Sequence, residues 1–232
     1  MTAFRVYIGW DSREDIAYQV ARNSLLKHAS IDVDVIPIKV QELVSQGLYT
    51  RQIDPLASTE FTYSRFLTPH LAGFRGWALF VDCDFLFFSD VARMRDYMNP
   101  AHAVACVKHD YTPKETTKMD GVAQTTYPRK NWSSFMLFNC EHPSTRQLTV
   151  ERVNSETGAY LHRMQWAKDE EIGELPVNWN WLEGWNDRPA TGTPDAVHYT
   201  RGGPWFKEWQ DVDYAEYWNA EAAEVRARGL AD

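Results

Sequence analysis

The chain has 232 residues, 44% of them hydrophobic and 24% charged, which suits one globular domain with a sizeable core. Lys and Arg number 24 against 32 Asp and Glu, and the net charge of −8 makes sequence-independent nucleic-acid binding a poor reading, since that needs a basic footprint. The cysteines, Cys83, Cys106 and Cys140, are odd in number and far apart; they spell neither a disulfide framework nor a paired-thiol metal site, and they point to a reducing compartment.

In chain order, Phe4–Ile8 is a β-prone apolar run broken by Gly9-Trp10-Asp11-Ser12. Asp11 or Ser12 is placed to cap a helix starting near Arg13, with Ile16, Val20 and Leu25 on one stripe. Ile31–Ile36 alternates apolar and acidic residues as a half-exposed strand does. The pattern then predicts a helix over Thr59–Leu71, a buried strand over Trp77–Val81, a short helix over Val91–Met98, and core strands over Ala103–Val107 and Ser134–Phe138. Strands alternating with helices imply an α/β domain with a mostly parallel sheet flanked by helices. Residues 109–131 are polar, either a surface loop or an active-site lid. The last third is irregular and tryptophan-rich. No signal peptide or bilayer-length apolar run is present, so the expectation is a cytoplasmic protein with no integral membrane segment.

Three Asp-x-Asp pairs occur, and the motif alone is weak. Asp32 and Asp34 read as a solvated strand face, and Asp211 and Asp213 lie in a polar, acidic tail. Asp82-Cys83-Asp84 differs, because Trp77–Val81 precedes it and Phe85–Phe88 comes next. Two carboxylates in apolar surroundings are costly unless a cation neutralises them, and hard oxygen ligands suit Mg2+ or Mn2+. The plainer alternative is an acidic turn that caps a following helix; the apolar flanks favour the ion. Such an ion takes further ligands from phosphate oxygens, which points to a nucleotide, sugar nucleotide or phosphoester. Arg65 could meet phosphate or a base, the plainer alternative being a surface or helix-pair salt bridge; His198 could supply a nitrogen ligand, and Gly202-Gly203 permits close backbone approach to a diphosphate. Of the ten tryptophans, most fill the core, while Trp181, Trp185 and Trp205 are candidate platforms for an acceptor sugar.

Together these segments resemble the retaining glycosyltransferases of the GT-A fold, family 8, the group with glycogenin and the bacterial lipopolysaccharide galactosyl- and glucosyltransferases. The likeness runs from Tyr7 to Trp205. Ile8-Gly9-Trp10-Asp11 stands where the family holds uridine. Thr62-Tyr63-Ser64-Arg65 resembles its Thr-Tyr-Ala-Arg segment, and Val81–Asp84 its metal-binding Asp-x-Asp. Trp132–Asn139 is similar to its Phe-Asn-Ala-Gly strand, Lys168–Glu171 to its Asp-Gln-Asp element, and His198–Trp205 to its His-x-x-Gly-x-x-Lys-Pro-Trp ending. Ser133 stands where the family often has asparagine, Glu170 where it has glutamine, and the ending lacks the lysine, for which Arg201 or Lys207 are the substitutes at hand.

The resemblance implies a single GT-A-type domain over 1–232: a Rossmann-like nucleotide-binding half (1–108), the polar loop or lid (109–131), an acceptor and catalytic half (132–206) and a C-terminal tail (207–232). It implies a hexosyltransferase that uses Mn2+ or Mg2+ and a UDP-sugar, acts on a glycan, glycolipid or other hydroxyl acceptor, and retains anomeric configuration. Asp82, Asp84 and His198 would hold the metal. Ile8, Gly9, Asp11, Tyr63, Arg65, Cys83, Ser134, Gly202 and Gly203 would surround the donor nucleotide. Asp169 would position the sugar and Glu170 would face its anomeric carbon, the route (same-face or double displacement) being open. A sugar nucleotidyltransferase would share metal and fold but lacks its Gly-rich loop here. An Asp-based phosphatase usually places its motif near the chain start, and a carbohydrate-binding protein would not need the acidic pair.

Overall fold

A computed structural model describes residues 3–52, 58–110 and 129–231. The chain opens with β1 (Phe4–Gly9), α1 (Asp15–His28) and β2 (Val33–Ile38), the expected strand–helix–strand unit. The helix starts later than the sequence suggested because Asp11 does not cap it. Its carboxylate accepts from the backbone N–H groups of Arg13 and Glu60, both at 3.0 Å, and from the Arg13 guanidinium. A short α2 (Val40–Ser45) is next. The helix expected over 59–71 is instead a 3-10 turn, Ser64–Leu67, running into α3 (Thr68–Leu71). Pro69 explains the break: it suits the first turn of α3, where its missing N–H is not needed, and cannot extend a helix from upstream.

β3 (Trp77–Val81) is as expected, and the apolar run beyond the acidic pair is a separate strand, β4 (Phe85–Phe87). Val91–Tyr97 is a 3-10 segment whose cap, Asp90, accepts from Ala92 N–H at 2.9 Å. Then come β5 (Val104–Cys106), β6 (Phe135–Asn139), α4 (Val150–Ser155) and α5 (Gly158–His162). The last third is more regular than its composition suggested. It holds β7 (Ile172–Glu174), β8 (Trp181–Leu182), β9 (Ala196–His198) and α6 (Ala215–Ala227). The polar stretch read as a loop or lid lies, over 111–128, outside the described residues. Among the described residues no helix is long and apolar enough to cross a membrane.

The central sheet has the order β2-β1-β3-β6-β5-β7. β1 is parallel to β2 and β3, β5 is parallel to β7, and β6 runs antiparallel to both β3 and β5. The sheet is therefore mostly parallel, and the carboxyl ends of β1, β3, β5 and β7 share one edge, where open α/β sheets bind ligands. A second, three-stranded sheet has the order β4-β9-β8. α6 is tied to α1 by Asn23–Glu221 (2.6 Å) and Lys27–Glu221 (2.7 Å). Trp166, Trp179 and Trp218 are buried, so core packing accounts for these three.

Gly9, at the carboxyl end of β1, is buried against the ring of Phe61, and a Cβ there would overlap that ring. Gly9→Ala is expected to cost about 1–3 kcal/mol, read as a lower urea midpoint with an unchanged slope.

Candidate active site

The acidic pair lies where the chain leaves one sheet for the other. Asp82 comes directly after β3, with its N–H donating to Ser134 O at 2.9 Å, and Asp84 precedes β4. β4 and β9 pair antiparallel with Phe85 opposite His198, and Tyr199 N–H donates to Asp84 O at 3.0 Å. This pairing brings a histidine from late in the chain onto the acidic turn. One ligand atom from each of Asp82, Asp84 and His198 lies within 4.8 Å of the others. The imidazole is stacked on Phe85, with ring centroids 4.5 Å apart and planes 15° apart.

Asn180 sets the tautomer of that histidine. The Asn180 amide nitrogen donates to Ser134 Oγ (2.9 Å) and Asn131 O (3.3 Å), so its oxygen is left to accept from His198 Nδ1 at 2.9 Å. With Nδ1 carrying the hydrogen, Nε2 turns its lone pair toward Asp84 Oδ2, 3.3 Å away. A proton or a cation has to sit between those two acceptors. Asp84 Oδ1 is buried without a hydrogen-bond partner among the described residues. Two carboxylates, one of them with an orphaned oxygen, and one imidazole nitrogen fit a divalent ion such as Mn2+ or Mg2+. Asn180→Ala is expected to weaken metal binding about 10- to 100-fold, measured by Mn2+ titration calorimetry, with the fold retained by circular dichroism.

Burial raises the Asp82 carboxyl to about 6, with Arg65 opposing and Asp84 adding to the rise. Burial also works against charge on Asp84, but His198 outweighs it and leaves that carboxyl below its ordinary value. The Arg65 guanidinium donates to Asp82 Oδ1 (2.7 Å) and Ser133 O (3.0 Å) and lies against the Phe61 and Phe80 rings. The salt bridge weighed for Arg65 from sequence is present, to a buried carboxylate, and Arg65 also lines the cavity.

These groups open into a cavity of about 710 Å³. Of the residues named from sequence, Tyr63, Arg65, Asp82, Cys83, Asp84, Ser134, His198 and Gly202 are on its wall. Gly202 needs to be glycine, because its φ is +127° and Trp209 occupies the space of a side chain. Gly203 is buried against the Trp205 ring, and Ile8, Gly9 and Asp11 are also away from the cavity wall. Asp169 and Glu170 stand on an exposed 3-10 turn, Asp169 with 81% of its side chain open. Asp169 meets Arg129 at 2.5 Å, and Arg129 is itself on the cavity wall; Glu170 is not. Ser133 is engaged by His162 at 2.8 Å, and burial, helped by Arg65, drives that imidazole down to about 3, so it is neutral.

Sequence reading missed Glu14 and Asn180. Glu14 is on the wall, its carboxyl pushed up to about 7 by burial and by Asp84 and Asp11 nearby. Its only sequence signal was an acidic residue in the turn after β1. Asn180 sits just before β8, and its role exists only through the pairing of β8 with β9. Arg201, the suggested substitute for the missing lysine, is on the wall as well. Buried Glu183 holds its guanidinium at 3.0 Å, and it lies 5.2 Å from the centre of the Trp209 ring. Lys207 does not reach the wall.

No protein-family model matches the sequence. Among solved structures, the apo form of the glycosyltransferase GlyE from Streptococcus pneumoniae TIGR4 is similar at a TM-score of 0.64 and 16% identity, covering 96% of this chain and 60% of that one. The galactosyltransferase LgtC, in complex with donor and acceptor sugar analogs, is similar at 0.60 and 12%, covering 95% and 96%. The chain spans half the length of the bifunctional glycosyltransferase WbbM, which it matches at 0.58 and 20%. These likenesses establish the GT-A glycosyltransferase fold, as the sequence motifs implied. In sequence, protein CDI of Arabidopsis thaliana is 54% identical over 224 residues, 95% of this chain and 86% of that protein. At that identity and coverage, the chain belongs to the family of protein CDI.

Proposed function

We propose that this chain is a metal-dependent glycosyltransferase that moves a hexose from a UDP-sugar to a hydroxyl acceptor with retention of anomeric configuration. One observation carries the reading: Asp82, Asp84 and His198 converge on one point of a large cavity at the carboxyl edge of a GT-A sheet. A Mn2+ or Mg2+ ion held there would neutralise charge developing on a diphosphate leaving group. Asn180 keeps His198 Nε2 free to bind, and Arg65 holds Asp82 in place. Arg201, fixed by Glu183, is the cation that would meet the diphosphate where the family-8 ending carries lysine. Asp169 is the residue assigned to the donor sugar, next to the cavity through Arg129, and Glu170 is assigned to the anomeric face. LgtC, a galactosyltransferase with bound donor and acceptor sugar analogs, has the same fold, which supports this class of chemistry. On this reading residues 1–108 serve the nucleotide and 132–206 the sugar and acceptor.

The test is incubation with Mn2+ and a panel of nucleotide sugars. Release of nucleoside diphosphate, strongest with one UDP-sugar and abolished by EDTA, is the expected result. Free phosphate would instead indicate a phosphatase, and formation of nucleoside triphosphate when pyrophosphate is added a nucleotidyltransferase.

A further inference from the structure

The turn after β1 does not meet the cavity in the way the resemblance implied. Asp11 is fully buried, its carboxylate held by the Arg13 guanidinium and by the Glu60 N–H, and Gly9 is closed off by Phe61. The residue of that turn which does reach the cavity wall is Glu14, directly before α1. Its side chain caps no N–H of the helix, so the carboxylate is not committed to α1.

Trp205 is on the same wall. The sequence offered it as a platform for an acceptor sugar, but its ring is packed into the protein. It meets Tyr199 edge-on at 6.0 Å and lies 5.4 Å from both Phe206 and Trp218, centre to centre. Gly203 is pressed so close that a Cβ there would overlap the ring. What Trp205 keeps is an edge: its Nε1 is buried and has no hydrogen-bond partner among the described residues. A buried N–H in that state is costly and calls for an acceptor. Burial raises the Glu14 carboxyl, and the Trp205 indole N–H is near enough to oppose that rise, yet the two do not close into a hydrogen bond.

A donor and an acceptor that stop short of each other suit a ligand group that is both. A hydroxyl accepts from the indole and donates to the carboxylate, whereas a phosphate oxygen can only accept and would face the Glu14 charge. The sheet order indicates which hydroxyl. β1 lies on one side of β3 and β6 on the other, so the cavity has Glu14 at its β1 end, Asp82 and Asp84 at its centre, and Ser133 and Ser134 at its β6 end. A nucleotide sugar held at the centre by its diphosphate directs its ribose to one end and its transferred sugar to the other. The β1 end is the nucleotide-binding half.

We infer that Glu14 and Trp205 together bind one ribose hydroxyl, the Trp205 indole N–H donating to it and the Glu14 carboxylate accepting from it, so that the cavity selects ribonucleotides over deoxyribonucleotides. That the hydroxyl belongs to a ribose rests on the function proposed above.

Calorimetry in Mn2+ tests it, with UDP, ADP and GDP and the 2′-deoxy and 3′-deoxy form of each, on wild type, Glu14→Ala and Trp205→Phe. Wild type should bind the ribonucleotide about tenfold or more tightly than one of its two deoxy forms, because the missing hydroxyl leaves both protein groups unpaired. Each variant should lose affinity for the ribonucleotide and bind that deoxy form about as wild type does, so that the ratio falls about threefold or more. A wild-type ratio within about threefold, or an unchanged ratio in a variant that folds, overturns the inference; UDP binding that needs Mn2+ would then leave the glycosyltransferase reading standing. If ADP or GDP shows the ratio and UDP does not bind, the UDP-sugar of the proposed function is overturned and the ribose assignment stands. Binding of no nucleoside diphosphate overturns both. Phenylalanine keeps a packed ring at position 205, and Glu14→Ala removes no helix cap, so it decides the matter even if Trp205→Phe fails to fold.

Discussion

Asp84→Asn is expected to slow transfer from the nucleotide sugar about 10³-fold, the several kcal/mol that a bound metal contributes to the leaving group, while leaving the metal-free protein folded. The two effects separate because of where the charge sits. Asp84 Oδ1 is buried without a partner, and the carboxylate shares its surroundings with Asp82 and Glu14. Asparagine has the same shape, and its amide nitrogen can donate to His198 Nε2, which offsets the loss of the favourable charge that holds the Asp84 carboxyl below its ordinary value. Melting temperature in EDTA should therefore fall little or not at all. The stabilisation that wild type gains from Mn2+, about 2.7 kcal/mol at a hundred times Kd, should vanish. A variant that loses stability in EDTA but still responds to Mn2+ would make Asp84 a structural residue.

Arg65→Leu carries the largest expected loss of stability, about 3–5 kcal/mol at pH 7, because it strands the Asp82 carboxylate in a buried setting. Both side chains of this pair are nearly closed to solvent, so screening does little to soften the cost. The deficit should depend on pH. Asp82 has a native value of about 6 against an ordinary 3.8, so between those values the native state binds more protons than the unfolded state, and stability falls as pH rises. Removing Arg65 extends that window upward, so the variant should be closest to wild type near pH 5 and furthest from it at pH 7 and above. Arg65→Leu/Asp82→Asn should recover more than half of the loss in urea denaturation. If Arg65 served only a phosphate, Arg65→Leu would cost less than about 1 kcal/mol and show no such coupling.

The fold class and the acidic pair of the candidate metal site were legible in the sequence because each rests on a local signal. β1 and β3 are short apolar runs bounded by breakers, and Asp82 and Asp84 were conspicuous through their apolar flanks. The features that the sequence concealed depend on pairing between distant segments. Phe85–Phe87 carried no assigned element, since nothing local says that the chain changes sheets at Cys83. The antiparallel course of β6 has no local signature either. Arg65 could be matched only by residue type, to a phosphate, a base or a surface salt bridge; its pairing with Asp82 depends on the 3-10 turn that carries it beneath β3. Asn180 became visible only once β8 lay beside β9. Asp169 and Glu170 came by motif alone, and their exposed turn shows how little a three-residue acidic match says about which way a side chain faces.

Calorimetric titration of wild-type protein with UDP, in Mn2+ and then in EDTA, tests the central claim most directly. UDP binding with one-to-one stoichiometry in Mn2+, lost in EDTA and lost in Asp84→Asn, is the predicted result. Equal binding in Mn2+ and EDTA, or no binding in either, would contradict the assignment of Asp82, Asp84 and His198 as the centre that joins a metal ion to a nucleotide diphosphate.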